Sequence, residues 1–277
     1  MVGTTKNDTP VCNTKLSQTT DATGAARFGL PSFEDHTFLI FGYGSILWKQ
    51  NFEFVESYPC YVKGYTRVFY QGTQEHRGTP GNPGRVVTLL PSANPEERVY
   101  GKAYQLPSDP QQLEEILAAL DVREQEGYDR VSLDLFEAQA EEKSLTIHHD
   151  AEKKVVTLVY MAVEGNSDYL GEDTVEEMAA HILRCEGPSG TNREYLFRLA
   201  DCLRELGAVD EHVFAIDAEA KRQLAEAETI STLEEETAQD NSSFDEGSLG
   251  DAPSTWTSPT LKPTANPVFA VSAPTTL

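Results

Sequence analysis

The 277 residues carry 22 lysines and arginines against 45 aspartates and glutamates, a formal net charge of −23. That balance argues against nucleic acid, whose phosphates need clustered cations, and no apolar run approaches the roughly 20 residues that span a bilayer. Cys12, Cys60, Cys185 and Cys202 lie far apart without a C-x-x-C pair, and Lys6 and Lys15 precede no hydrophobic signal region, so the expected address is the cytoplasm with reduced thiols.

Residues 1–36 are rich in Thr, Asn, Asp and Gly without an apolar period, and residues 226–277 join acidic runs such as Glu234-Glu235-Glu236 to Ser, Thr and Pro. Neither end buries enough apolar surface to offset chain entropy, so both are expected to be disordered around a folded domain at 37–225. Much of the negative charge falls on that domain, where solubility is sufficient reason for it.

Strand-like segments open the domain at 37–42, 60–70, 85–90 and 99–106, the second with alternating side chains. Between the second and third, the stretch from Thr73 to Gly84 is too rich in Gly and Pro for regular structure and is a candidate wall or lid. A helix then begins with Asp109 as N-cap and Pro110 in the first turn, its apolar residues Leu113, Ile116, Leu117 and Leu120 at i, i+3, i+4, i+7. It is expected to end near Asp121, which places Glu124 between a helix C-terminus and a strand at 129–137. A further strand, 154–163, follows the polar turn at His148-His149-Asp150.

The last third reads as helical. Asp173 with Glu176 marks the start of a helix that Gly187 ends, Thr191 with Glu194 has capping-box spacing ahead of Leu196, Leu199, Leu203 and Leu206, and a final helix runs from about Asp210 to Leu224. Strands early and helices late indicate an α+β domain rather than a doubly wound parallel sheet.

The apolar run Phe38-Leu39-Ile40-Phe41 stops abruptly in Gly42-Tyr43-Gly44-Ser45. Glycine spacing lets such a turn aim successive N–H groups at an anion, although a tight structural turn explains the residues equally well. A dinucleotide fingerprint is excluded by the missing third glycine and helix. A Gly-x-Ser-x-Gly elbow fails because Tyr43 stands two positions before Ser45 and Thr191 two after Ser189. The six histidines form no metal pattern: His148, His149, His181 and His212 read as surface or cap residues, while His76, beside Arg77 in the Gly-rich loop, is either a loop hydrogen bond or a substrate contact. Glu124 alone would read as a solvated residue, with Glu115 and Glu126 as competitors. Its place at the carbonyl end of a helix, together with any burial, makes it hold its proton more tightly and suits it to acid–base work.

Phe41-Gly42-Tyr43-Gly44-Ser45-Ile46-Leu47-Trp48-Lys49, followed in order by Gln71-Gly72, His76-Arg77-Gly78, Pro83-Gly84-Arg85-Val86-Val87-Thr88-Leu89, Arg123-Glu124 with Gly127-Tyr128, Tyr169-Leu170-Gly171, and Gly187 to Asn192 with Tyr195-Leu196, resembles the ChaC family of glutathione-specific γ-glutamylcyclotransferases. The resemblance spans about residues 38–224. It departs at Ile46, where the family has Leu, and at Glu126, which adds a carboxylate near Glu124.

The resemblance implies a small mixed-sheet barrel flanked by helices, with a substrate cavity at one end, and conversion of glutathione to 5-oxoproline and cysteinylglycine. On that reading Ile40, Phe41, Gly42, Tyr43, Gly44 and Ser45 hold the γ-glutamyl α-carboxylate, and Glu124 shuttles the proton. Arg77 or Arg85 pairs with the far carboxylate, Arg85 being equally a strand residue in an ion pair, and Tyr43, Tyr128 or Tyr169 supplies an oxyanion donor. No metal or organic cofactor is expected. Two alternatives stand beside it: cyclotransfer on other γ-glutamyl amines, and a non-catalytic glutathione-binding module.

Overall fold

The structure, a computed structural model, describes residues 24–124, 128–138, 143–145, 147, 152–162 and 165–242. In chain order the elements are α1 (Gly24–Arg27), β1 (His36–Gly42), a 3-10 turn (Ser45–Leu47), β2 (Glu56–Lys63), β3 (Tyr65–Thr73), β4 (Gly84–Pro91), β5 (Arg98–Gln105) and α2 (Pro110–Arg123). Then come β6 (Tyr128–Val131), β7 (Phe136–Glu137), β8 (Lys154–Ala162), α3 (Val175–Arg184), β9 (Glu186–Gly187), β10 (Gly190–Thr191), α4 (Asn192–Glu205) and α5 (Glu211–Ser242). The chain divides into two compact units, residues 1–229 and 230–277, and the site described below lies in the first.

The main sheet has the order β6-β8-β1-β5-β2-β7 and is mixed, since β1 runs parallel to β8 and antiparallel to β5. β3 and β4 form a separate two-stranded ribbon. Side chains tie the ribbon to the sheet on both sides: Arg67 of β3 donates to the Tyr100 carbonyl of β5, and the Ala162 N–H of β8 donates to Thr88 Oγ1 of β4 at 3.0 Å. The continuous apolar run of β1 reflects its position, because alternate residues face two different cores. Leu39 and Phe41 pack with Leu196, Leu199 and Leu203 of α4 and Val213 and Ile216 of α5, while Phe38 and Ile40 pack with Leu113, Ile116, Leu117 and Leu120 of α2.

Four expectations are corrected. The single strand at 60–70 is two, because Gly64, with φ of +75°, turns the chain out of the main sheet and into the ribbon. The strand at 129–137 is also two, on opposite edges of the sheet: β6 pairs with β8 and β7 with β2. Residues 24–36 belong to the fold, since Ala25, Phe28, Leu30 and Phe33 are buried in the α2-side core, apolar positions too irregularly spaced to show a period. At the other end α5 continues to Ser242, past Leu224, through Ala- and Glu-rich sequence of strong intrinsic helix propensity. Residues 1–23 lie outside the described residues.

Helix starts agree closely with the sequence. Asp109 accepts the Gln112 N–H at 2.9 Å ahead of Pro110. The capping box of α3 falls one residue later than expected, on Thr174 and Glu177, because Asp173 is engaged with Arg85. Thr191 caps α4, accepting the Glu194 N–H at 3.3 Å, but the Glu194 carboxylate turns away to Arg77 and Arg198.

Two histidines are held neutral by packing. His212 at the start of α5 accepts the Phe69 N–H on Nε2 at 3.0 Å, and burial pushes its proton affinity down, with Asp210 and Glu172 opposing. His181 of α3 donates from Nε2 to the Pro83 carbonyl at 2.7 Å and is likewise shifted down by burial. A folded-state value below the ordinary one of about 6.5 means the unfolded chain takes up protons first on acidification. The stability is therefore full above about pH 6.5 and is lost as pH falls toward the folded value. The melting midpoint is expected to drop between pH 7 and pH 5, and His212→Gln, which still offers an acceptor to Phe69 but does not titrate, should flatten that dependence.

Candidate active site

Where β1 ends, its ladder ends too: Gly42 faces Lys102 of β5, and the chain then leaves the sheet through Tyr43 and Gly44 into the 3-10 turn. Among the described residues, the backbone N–H groups of Gly44 and Ser45 donate to no turn, loop or cap carbonyl, while the Gly44 carbonyl accepts from Leu47 at 3.0 Å. A cavity of about 500 Å³ opens against this turn. Its lining includes Tyr43, Gly44 and Ser45 from the turn, Lys49 and Gln50 after it, Arg123 and Glu124 from the end of α2, Tyr128 of β6, His76 and Arg77 of the Gly-rich loop, and Tyr195 of α4.

Glu124 is the C-cap of α2, its N–H bonded to the Leu120 carbonyl at 2.9 Å, with a side chain 17% exposed. Buried Leu120 and Leu117 pin this last turn to the core, so the carboxylate rests on a rigid element. Arg123 next to it reaches across the cavity floor: Nη2 donates to Ser45 Oγ at 2.7 Å, Nη1 to the carbonyls of Lys49 and Gln50 at 2.7 and 3.1 Å, and Nε lies 3.4 Å from Glu124 Oε1. Ser45 and Glu124, 79 positions apart in the chain, therefore meet on one guanidinium.

The Gly-rich loop forms the opposite wall. His76 lies 3.3 Å from Ser189 Oγ through Nδ1 and 3.5 Å from the Arg123 carbonyl through Nε2, so it both ties the loop down and faces the cavity. Arg77, buried, donates to the Thr191 carbonyl at 2.9 Å and to Glu194 at 2.8 Å. Asn192 imitates a strand partner, accepting from the Arg85 N–H at 2.6 Å and donating to the Arg85 carbonyl at 2.7 Å, which locks the start of α4 to β4.

Three tyrosine hydroxyls surround the carboxylate. Tyr43 donates to the Tyr160 carbonyl at 2.6 Å, and burial, then the Glu124 charge, raise its ionisation far above the ordinary value. Tyr160 donates to Asp121 at 2.9 Å and is raised by burial, then by Asp121. Tyr195 is pushed up to about 12, mainly by burial, with the Val87 hydrogen bond opposing and Glu124 adding to the rise. Its oxygen accepts the Val87 N–H at 3.4 Å, which leaves its own proton directed elsewhere, and a Cβ built on Gly44 would stand 3.0 Å from it.

The cavity thus gathers Tyr43, Gly44, Ser45, Phe41, Glu124, Arg77 and Tyr128 of the expected site residues. Others are placed elsewhere. Ile40 is fully buried in the α2-side core, and Gly42 is part of β1 behind the lining. Arg85 is buried and bonded to Asp173, to the Phe69 carbonyl and to the Gly171 carbonyl, the ion pair that the sequence left open. Tyr169 is 40% exposed, edge-on to Tyr70 and bridged to Gln71. Glu115 is exposed on α2 and accepts from Gln111 at 3.0 Å. Glu126, His148 and His149 lie outside the described residues. Sequence reasoning assigned no role to Arg123 or Tyr195: a basic residue in a last helical turn reads as dipole compensation, and a tyrosine in the first turn of a leucine-rich helix reads as core. Among the described residues no group of three or more His, Cys, Asp or Glu is placed to hold a metal ion, and no helix is long and apolar enough to cross a membrane.

Residues 38–223 match the family model of ChaC-like proteins. The chain is 40% identical over 195 residues to Gamma-glutamylcyclotransferase 2-3 of Arabidopsis thaliana, covering 69% of this chain and 92% of that protein. It is 41% identical over 193 residues to Glutathione-specific gamma-glutamylcyclotransferase 1 of Rattus norvegicus, covering 67% of this chain and 81% of that one. Among solved structures it resembles the yeast γ-glutamylcyclotransferase specific to glutathione, with a TM-score of 0.58 and 27% identity, over 68% of this chain and 96% of the other.

The Gly-rich wall depends on a backbone crossing at Gly78. A Cβ there would lie 2.1 Å from the Gly84 nitrogen and 2.6 Å from the Asn82 carbonyl oxygen, backbone atoms that cannot swing aside. Gly78→Ala is expected to destabilise the protein by about 1–3 kcal/mol, as overpacking does, read as a lower urea midpoint with unchanged slope.

Proposed function

The chain belongs to the ChaC-like family, and from that membership and the cavity we propose that it is a γ-glutamylcyclotransferase acting on glutathione, yielding 5-oxoproline and cysteinylglycine. The observation that carries the proposal is the meeting of the Ser45 turn and Glu124 on the Arg123 guanidinium beside a cavity of about 500 Å³.

The N–H groups of Gly44 and Ser45 take the α-carboxylate of the γ-glutamyl unit and hold its chain bent, with the α-amine against the γ-carbonyl. Intramolecular attack at good geometry carries an effective molarity of about 10⁵ M or more, roughly 7 kcal/mol of the barrier. Glu124 accepts a proton from the ammonium, the nitrogen bonds to the γ-carbon, and the tetrahedral oxyanion forms. As the bond to the cysteine nitrogen breaks, Glu124 returns that proton to the leaving nitrogen, then takes the second proton from the ring nitrogen and passes it to the released amine, which departs as an ammonium. Atoms balance without water or a redox partner.

The oxyanion donor is Tyr195. Tyr43 and Tyr128 already donate to the carbonyls of Tyr160 and Val87, whereas the Tyr195 hydroxyl accepts from Val87, lines the cavity and stays protonated at neutral pH. The far carboxylate falls to Arg77 or Lys49, both in the lining. A cytoplasmic address fits the free thiols of Cys60, Cys185 and Cys202.

Incubation with glutathione should release 5-oxoproline and cysteinylglycine, detected by mass spectrometry, and γ-glutamyl dipeptides in the same assay should turn over more slowly. Glu124→Gln should reduce turnover by about 10²-fold or more with an unchanged melting midpoint. Thermal stabilisation by glutathione without product would instead identify a binding module, and equal turnover of the dipeptides would identify a broader cyclotransferase.

A further inference from the structure

Arg123 lines the cavity and bonds to three residues of the segment that follows β1, yet the proton-transfer steps give it no part. Its fork reaches two segments of the chain that must keep their spacing for ring closure: Ser45 Oγ at 2.7 Å and the carbonyls of Lys49 and Gln50 at 2.7 and 3.1 Å on the side of the substrate turn, and Glu124 Oε1 at 3.4 Å from Nε. The Arg123 side chain is only 16% exposed, and its bonds to Ser45 Oγ and the Gln50 carbonyl are part-buried. A planar guanidinium supplies five donors in a fixed fork, which the point charge of a lysine cannot reproduce. On the other face of the same residue, the Arg123 carbonyl lies 3.5 Å from His76 Nε2, which brings the Gly-rich wall to the same point.

We propose that Arg123 is a positioning residue for cyclotransfer, setting the distance between the Ser45 turn and Glu124 and holding a positive charge beside the Glu124 carboxylate before substrate arrives. It acts through Ser45 and Glu124 and needs no contact with glutathione. The proposal rests on Glu124 being the proton-transfer group. Other groups face that carboxylate: Tyr43 at the end of β1, Tyr160 of β8 and Tyr195 of α4 feel its charge, and Lys49, Glu75, His76, Arg77 and Tyr128 line the same cavity. Tyr43, Tyr160 and Tyr195 are neutral there, and Arg77 Nη1 is bonded to Glu194 and to the Thr191 carbonyl. Arg123 is in ion-pair contact with Glu124, Nε to Oε1 at 3.4 Å.

The two parts of the role separate by substitution. Arg123→Lys keeps a charge but loses the fork, and Arg123→Gln loses both. With glutathione as substrate over pH 5–9, Arg123→Lys is expected to lower kcat by about 10²-fold, the usual effect of an ångström-scale misplacement, with the acid limb of kcat/KM close to wild type. Arg123→Gln should lower kcat at least as far and also move the acid limb to higher pH, because the carboxylate has lost its neighbouring cation. Wild-type kcat in either variant overturns the proposal, and so does an unmoved acid limb in Arg123→Gln, which would mark a purely structural role. Should both variants fail to fold, Ser45→Ala decides: loss of the acceptor of one charge-assisted bond is expected to cost about tenfold in kcat without shifting the acid limb, and full activity would refute the clamp. A wild-type protein that makes no 5-oxoproline overturns the functional reading and this inference together, whereas an active wild type with indifferent Arg123 and Ser45 variants overturns this inference alone.

Discussion

A central strand that must stop inside a fold leaves backbone donors without a ladder, and the end of β1 is that constraint here. Hydrogen bonds to β8 on one side and β5 on the other hold the strand as far as Ile40 and Gly42 respectively. Beyond them the amides of Gly44 and Ser45 have no carbonyl acceptor among the turn and loop bonds of the described residues. Amides sheltered from water need partners, and on the proposed reading the chain termination that the sheet imposes supplies the donors for the substrate carboxylate.

The rest of the architecture brings distant groups to that strand end. α2 lies on the core face fed by Phe38 and Ile40, and its four buried residues set how far Glu124 stands from the turn. α4 lies on the other face and delivers Tyr195, with Asn192 fixing its start against β4. Ion pairs of buried arginines do the same for the walls. Arg67 with Asp210 and Arg85 with Asp173 bind the ribbon to the ends of helical segments, and each arginine also donates to a backbone carbonyl. Such pairs contribute little net stability compared with apolar packing, but breaking one leaves a charge stranded in the interior. Their physical effect is geometric: they allow one arrangement of the walls and penalise the others.

What the sequence makes legible follows from how local each signal is. The cap at Asp109 and the apolar stripe of α2 are local and match the structure residue for residue. The turn after β1 and the carboxylate at 124 are visible as residue types, and only the family resemblance pairs them. Gly64 defeats the pattern because side-chain alternation passes through it unbroken while its backbone changes sheet. Arg85 shows the opposite failure: its motif neighbours suggest the cavity, yet burial and Asp173 hold it behind the wall. Residues 24–36 escape because their apolar positions answer to a surface made by α2, far along the chain, and not to any period of their own. Arg123 and Tyr195 acquire meaning only from contacts across 78 and 108 positions.

The ring of hydroxyls from Tyr43, Tyr160 and Tyr195 has a consequence for the fate of hydrogen isotopes. None of the three gives up its proton at neutral pH, so they furnish dipoles but no reservoir. On the proposed mechanism a hydron leaving the substrate nitrogen rests on Glu124, and the same carboxyl hands it to the departing amine. The substrate ammonium exchanges its hydrons with water before it binds, so in deuterium oxide the species that this relay carries is a deuteron.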